Sequence, residues 1–198
     1  MDPHVDDSLQ SRMIRAARLD PTLYDEVKID PRALSQAMVV VLLSAVATGI
    51  AFGQGDLNTI VLGLGLAVAG WWVTAYLAFF IGTRILPERR ADPGAEGDAG
   101  SGGEPPPEPH PAELLRAIGF ASSPGIVRLL GAIPEFMAFT MLATTAWMIC
   151  AAVIAIRQGL GFQSTARAFG VYASVQLMLV PLVVLLLSGQ SDSSTPGP

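Results

Sequence analysis

The chain has 198 residues, of which 51% are apolar and only 15% charged, with a mean hydropathy of +0.48 and a formal net charge of −5. Soluble domains carry about 25% charged residues, so this chain lacks the polar residues to cover a water-facing globule, which excludes a soluble enzyme or DNA-binding domain. The acidic balance argues against nucleic acid as a partner, because that binding needs a basic patch. At about 20 apolar residues per bilayer crossing, five helices use about 100 residues, which matches the apolar half of the chain.

The polar N-terminal arm, residues 1–33, carries six acidic residues up to Glu26 and one more at Asp30, and no secretory signal is evident in it. Over residues 8–20, Leu9, Met13 and Ala17 recur every four residues with Arg12, Arg15 and Arg18 around them. That pattern predicts an amphipathic helix lying on the membrane surface. Asp20-Pro21 looks like an N-cap followed by the first helical position and opens a short helix through Tyr24 and Val27. Asp30-Pro31 repeats the signal before the first spanning helix, residues 34–52.

A second span is expected over residues 59–83, about 37 Å of helix at 1.5 Å per residue. Pro87 stops it, and residues 88–111 are so rich in Pro, Gly, Glu, Asp and Ser that composition predicts a flexible acidic loop, more a spacer than a docking segment. The third apolar stretch, residues 113–133, carries Arg116 and Arg128 and is interrupted by Ser122, Ser123, Pro124 and Gly125. A kinked spanning helix and a broken or re-entrant one are both open. Pro134 opens a fourth helix, residues 135–157, and a fifth follows over residues 166–187 with Pro181 inside it and a flexible tail, residues 189–198, behind it. The fold class is therefore an all-α, polytopic transmembrane bundle of five spans, grouped as residues 34–87 and 112–188, with an N-terminal interfacial helix.

Orientation follows from the 11 arginines and the single Lys28. With five crossings, all but Arg128 cluster on one side, which the positive-inside rule makes cytoplasmic, together with the N-terminus. The abundance of Arg, Ala and Gly points to a GC-rich, bacterial genome.

Residues that could do chemistry are few. His4 and His110, the only histidines, fall in segments expected to be flexible, so neither a metal cluster nor a Ser/His/Asp triad can be assembled. No cofactor is expected, and Cys150 among apolar neighbours is expected to be an inert packing residue. A charge at bilayer depth usually has a partner, and Glu135, beyond Pro134, is the candidate for Arg128, against simple snorkelling to the headgroups. Ala45, Gly49 and Gly53 share a face of the first span, and Gly63, Ala67 and Trp71 share one of the second; small residues of this kind let helix backbones approach. Trp71, Trp72 and Trp147 lie in mid-helix and are expected to fill the bundle interior with threonine partners.

Four stretches carry a family resemblance: RLDPTLYDEVKIDPRALSQAMVVVLLSA, GWWVTAYLAFFIGTRIL, LLRAIGFASSPGIVRLLGAIP and WMICAAVIAIRQGLGFQSTARAFGV. Together they make residues 18–187 similar to the bacterial branch of the Yip, or Ypt-interacting protein, family. The most specific element is Gly119, Phe120, Ala121, Ser122, Ser123, Pro124, similar to the family's Gly-Tyr-Ser-x-x-Pro pattern. The resemblance implies a five-span protein with a cytoplasmic N-terminal region and, in its eukaryotic branch, association with Rab-type GTPases. The Asp-Leu-Trp-Gly-Pro signature of that branch is absent here, so GTPase binding does not carry over. The reading that results is a non-enzymatic membrane protein whose partners are the bilayer and a membrane protein or further copies of itself. The alternative is a small channel or transporter for anions built on the broken third helix.

Overall fold

The computed structural model describes residues 7–52, 57–86 and 109–192, with backbone alone at 52, 58, 59 and 186–192. Gly53, most of the acidic loop and the last six residues lie outside these residues, while the first four residues of the expected tail continue α7. The described residues form helices and no strand: α1 (Leu9–Ala17), α2 (Pro21–Ile29), α3 (Ala33–Phe52), α4 (Leu57–Phe80) continued by a π-helical turn (Ile81–Ile85), α5 (Pro111–Phe120), a 3₁₀ segment (Ser123–Ala132), α6 (Pro134–Leu160) and α7 (Thr165–Asp192).

Local chemistry sets most of these boundaries. Ser8 caps α1, and Asp20 caps α2 by accepting the Thr22 amide at 3.0 Å, with Pro21 at the first helical position. The two helices are joined through Leu19, whose φ of 61° lets the chain reverse. His110 lies outside the loop assigned to it from sequence: its Nδ1 accepts the Ala112 amide at 3.2 Å and caps α5. Gly161, at φ 68°, ends α6 in the left-handed conformation that glycine adopts without strain.

Four helices are long and apolar enough to cross a membrane: Ala33–Ala51, Ile60–Ile85, Pro134–Leu160 and Thr165–Leu185, with mean hydropathies of 1.8 to 2.0. The third apolar stretch is neither a continuous helix nor a hairpin. Gly119, Gly125, Arg128 and Gly131 meet Ala37, Ser44, Thr48 and Ala51 of α3 in that order, so the stretch runs parallel to α3. Against α6 the order reverses, Leu114 to Gly159, Gly125 to Met148, Arg128 to Thr144 and Gly131 to Met137. Ten α-helical residues rise about 15 Å and ten in 3₁₀ geometry about 20 Å, so the broken rod is as long as the 30 Å hydrocarbon core is thick.

The core is one cluster that joins α2, the start of α3, the second half of α4, α5 and the second half of α6, with Tyr24, Phe120, Leu23, Leu114 and Ile156 fully buried in it. One end of the bundle gathers α2, the π-helical turn, the start of α5 and the α6–α7 connection. Gly82 lies against Leu160 and Phe162 there, and Lys28 against Gln158.

Candidate functional site

The motif Gly119–Pro124 sits at the break in the third stretch. Pro124 has no N–H to give the carbonyl of Phe120, four residues earlier, and its ring crowds that carbonyl, so the α-helix stops. Ser123 Oγ donates to Phe120 O at 2.7 Å in place of the missing amide, and the Gly125 amide takes Ser122 O at 2.9 Å. The Ser-Ser-Pro spacing thus ends one helix and satisfies the carbonyls it frees, with Ser123, Pro124 and Phe120 all buried.

Close approach of neighbouring backbones explains the flanking glycines. A Cβ on Gly119 would stand 2.6 Å from Ala37 Cβ and 3.2 Å from the Trp71 indole, and one on Gly125 would overlap Ser44 Oγ and lie 3.2 Å from Met148 Sδ. Trp71, buried across this contact, donates Nε1–H to Leu115 O at 2.9 Å. The break is therefore wedged between α3, α4 and α6.

Of the residues assigned to helix packing from sequence, Gly49 faces Ile60, with a Cβ contact of 3.6 Å, and Ala45 and Ala67 are half-buried. Gly63 is exposed, with nothing within 4 Å among the described residues. The tightest contacts fall instead at Gly82, Gly119, Gly125 and Gly159. No four-residue spacing marks these glycines; they are close because the partner element happens to cross there. Trp72 and Trp147 are exposed rather than internal, and the tryptophan partners are backbone carbonyls rather than threonines. Cys150 also faces outward, so it does not pack inside the bundle.

Arg128 and Glu135 are not brought together among the described residues. The guanidinium goes to three hydroxyls instead, Thr144 through Nε, Thr48 through Nη1 and Thr145 through Nη2, each at 3.3 Å. Thr48 and Thr144 stand one turn along from residues that pack on the same rod, which is why the arginine meets them.

The N-terminal arm is held on the bundle by charges paired within it. Arg12 is only 3% exposed, because its guanidinium reaches Asp30 and Gln36 at 2.8 Å and Asp7 at 3.1 Å. Arg15 grips both oxygens of Glu26 at 2.6 and 2.7 Å and Asp20 at 2.9 Å. With its charges paired internally, the arm can pack flush against the bundle. Burial pushes the Asp30 carboxyl up, but hydrogen bonds from Arg12 and the Arg32 amide, with both arginine charges, outweigh it and hold the group below the usual carboxylate range. Asp20 is likewise pushed up by burial and brought below that range by Arg15 and Thr22. The Arg15 guanidinium is held well above its ordinary value, chiefly by the hydrogen bond to Glu26.

Side chains of one element close the carbonyl ends of another. Trp147 Nε1 donates to Ala17 O, the last residue of α1, at 2.8 Å. Arg116 donates to Val27 O at 3.0 Å and to Lys28 O in the last turn of α2, and Lys28 Nζ reaches Gln158 O near the end of α6 at 3.3 Å. Helix C-termini carry unpaired carbonyls and partial negative charge, so cations and N–H groups are the partners they need. Sequence spacing cannot reveal these ties, since Lys28 and Gln158 are 130 residues apart.

Among the described residues no group of His, Cys, Asp and Glu stands close enough to hold a metal ion. The long apolar helices, the broken rod packed between them and the docked arm define a polytopic, multi-pass integral membrane protein. The family profile described as Yip1 domain matches residues 22–187, most of the chain, and the protein belongs to that family. No curated protein and no solved structure matches it. The match begins within α2, so α1 precedes it.

Proposed function

We propose that this Yip-family chain crosses the membrane five times with its N-terminus in the cytoplasm, and that it is a non-enzymatic organiser of membrane components, acting through helix packing and through its cytoplasmic face. The parallel run of the third stretch along α3 supports five crossings. The end where Arg12, Arg15, Lys28 and Arg116 gather is cytoplasmic by the positive-inside rule. A Ser191→Cys variant in a Cys150→Ala background tests this: an impermeant thiol reagent labels intact cells if the number of crossings is odd and the N-terminus is inside, and only lysed cells if it is even.

The observation that carries the organising role is the outer face of α4. Gly63 and Gly70, two turns apart on one side of α4, have nothing within 4 Å among the described residues, so small residues that admit a close helix neighbour are left unpartnered. A membrane protein or a second copy of the chain is the partner that fits. Gly63→Leu removes co-purifying partners or oligomers in mild detergent without unfolding the bundle; partner-free, monomeric wild type in every detergent counts against the role.

Arg128 favours a second reading, an anion channel at the broken rod. Proteoliposomes that leak no faster than empty vesicles, with or without Arg128→Ala, remove it.

A further inference from the structure

Arg128 is a cation that the fold half-buries and, among the described residues, surrounds with dipoles only. Its three partners are threonine hydroxyls from α3 and α6. Thr48 and Thr144 donate their own hydrogens to Ser44 O and Thr140 O at 2.8 and 2.7 Å, so their oxygens are fixed as acceptors towards the guanidinium and hold it against the rod. None of the three supplies negative charge, and Glu135 makes no bond to Arg128 among the described residues. Val127, Leu129 and Leu130 around it are 38, 47 and 58% exposed, so the site opens on the apolar belt that lipid covers. A cation in that setting calls for an anion.

We propose that the open edge of Arg128 and Thr145 binds a phosphate oxyanion, supplied by the headgroup of a phospholipid in the leaflet at the Pro134 end of α6. A guanidinium has five N–H donors. Three engage the threonines at long range, which leaves two for the ligand in the forked arrangement that suits phosphate. The Thr145 hydroxyl makes no other bond among the described residues, so its hydrogen turns to the same anion. Depth permits the contact. Thr144 lies about 15 Å along α6 from Pro134, but the 27 residues of α6 are about 40 Å long and exceed the hydrocarbon core by about 10 Å. The guanidinium is thus within a headgroup's reach.

Full-length protein purified in mild detergent is loaded with phosphatidylglycerol or with a phosphate-free diacyl glycolipid, and retained lipid is read by native mass spectrometry. Wild type should keep phosphatidylglycerol at least tenfold more than Arg128→Gln, while both keep the glycolipid equally. Arg128→Lys, which retains charge without the fork, should fall about threefold, and Thr145→Val by a similar factor. Millimolar inorganic phosphate should leave the lipid in place. Displacement by inorganic phosphate upholds an oxyanion site but makes its source soluble. Equal phosphatidylglycerol retention by wild type and Arg128→Gln overturns the site. Thermal melts guard against misfolding: phosphatidylglycerol should raise the midpoint of wild type and leave that of Arg128→Met unmoved, and an equal rise in both overturns the proposal.

Discussion

The second span and the third stretch are both apolar, glycine-bearing segments of similar length, yet they occupy opposite places in the molecule. α4 is an unbroken helix, and only 11% of its most apolar window is buried, against 39% for α6. The third stretch is split at Pro124 and carries two arginines, and Leu114 to Gly125 are nearly all buried. The more apolar and regular segment is thus peripheral, while the first half of the interrupted one is central. In lipid there is no hydrophobic driving force between helices, so the centre belongs to the segment whose small residues and irregular backbone let others approach.

The sharpest way to break that contrast is to fill the glycines. Gly125→Val or Gly119→Leu must push against α3, and should cost at least about 3 kcal/mol or abolish folding, while Gly63→Leu on α4 should change stability by less than about 0.5 kcal/mol. Thermal or denaturant unfolding in detergent measures both, and equal effects would remove the distinction. Next come the adjacent tryptophans. Trp71→Phe loses the bond to Leu115 O and leaves a void, at about 1 to 2 kcal/mol, whereas exposed Trp72→Phe should be close to neutral.

Ser123→Ala leaves Phe120 O without its hydroxyl donor and should cost about 1 kcal/mol in the same assay. An unchanged midpoint would show that the break does not need that bond.

The smallest expected effect separates the docked arm from the spans. Asp30 and Asp20 titrate lower in the folded arm than in an unfolded chain, so each binds protons less readily when docked. Their contribution is complete above the unfolded value of about 3.9 and is lost as pH falls through the folded values. Limited proteolysis at Arg18 should therefore accelerate below about pH 4, and Asp30→Asn should flatten the profile. A pH-independent cleavage rate would detach these carboxylates from arm docking.

Much of this architecture is legible in the residues. Uncharged runs of 18 or more residues give the four long helices, and Asp-Pro gives the starts of α2 and, three residues on, of α3. Gly119 to Pro124 announces both the break and the family. These signals are local: a proline's missing N–H and a window's affinity for lipid depend on the segment itself. Tertiary structure alone decided the rest. It chose Gly125 and Gly159 over Gly63 for close packing, drew Arg12 inside onto Asp30, sent Arg128 to three threonines and turned Cys150 outward. Each of those outcomes depends on which surface of a distant element arrives opposite the residue, and the order of residues along one helix does not encode its neighbour's position.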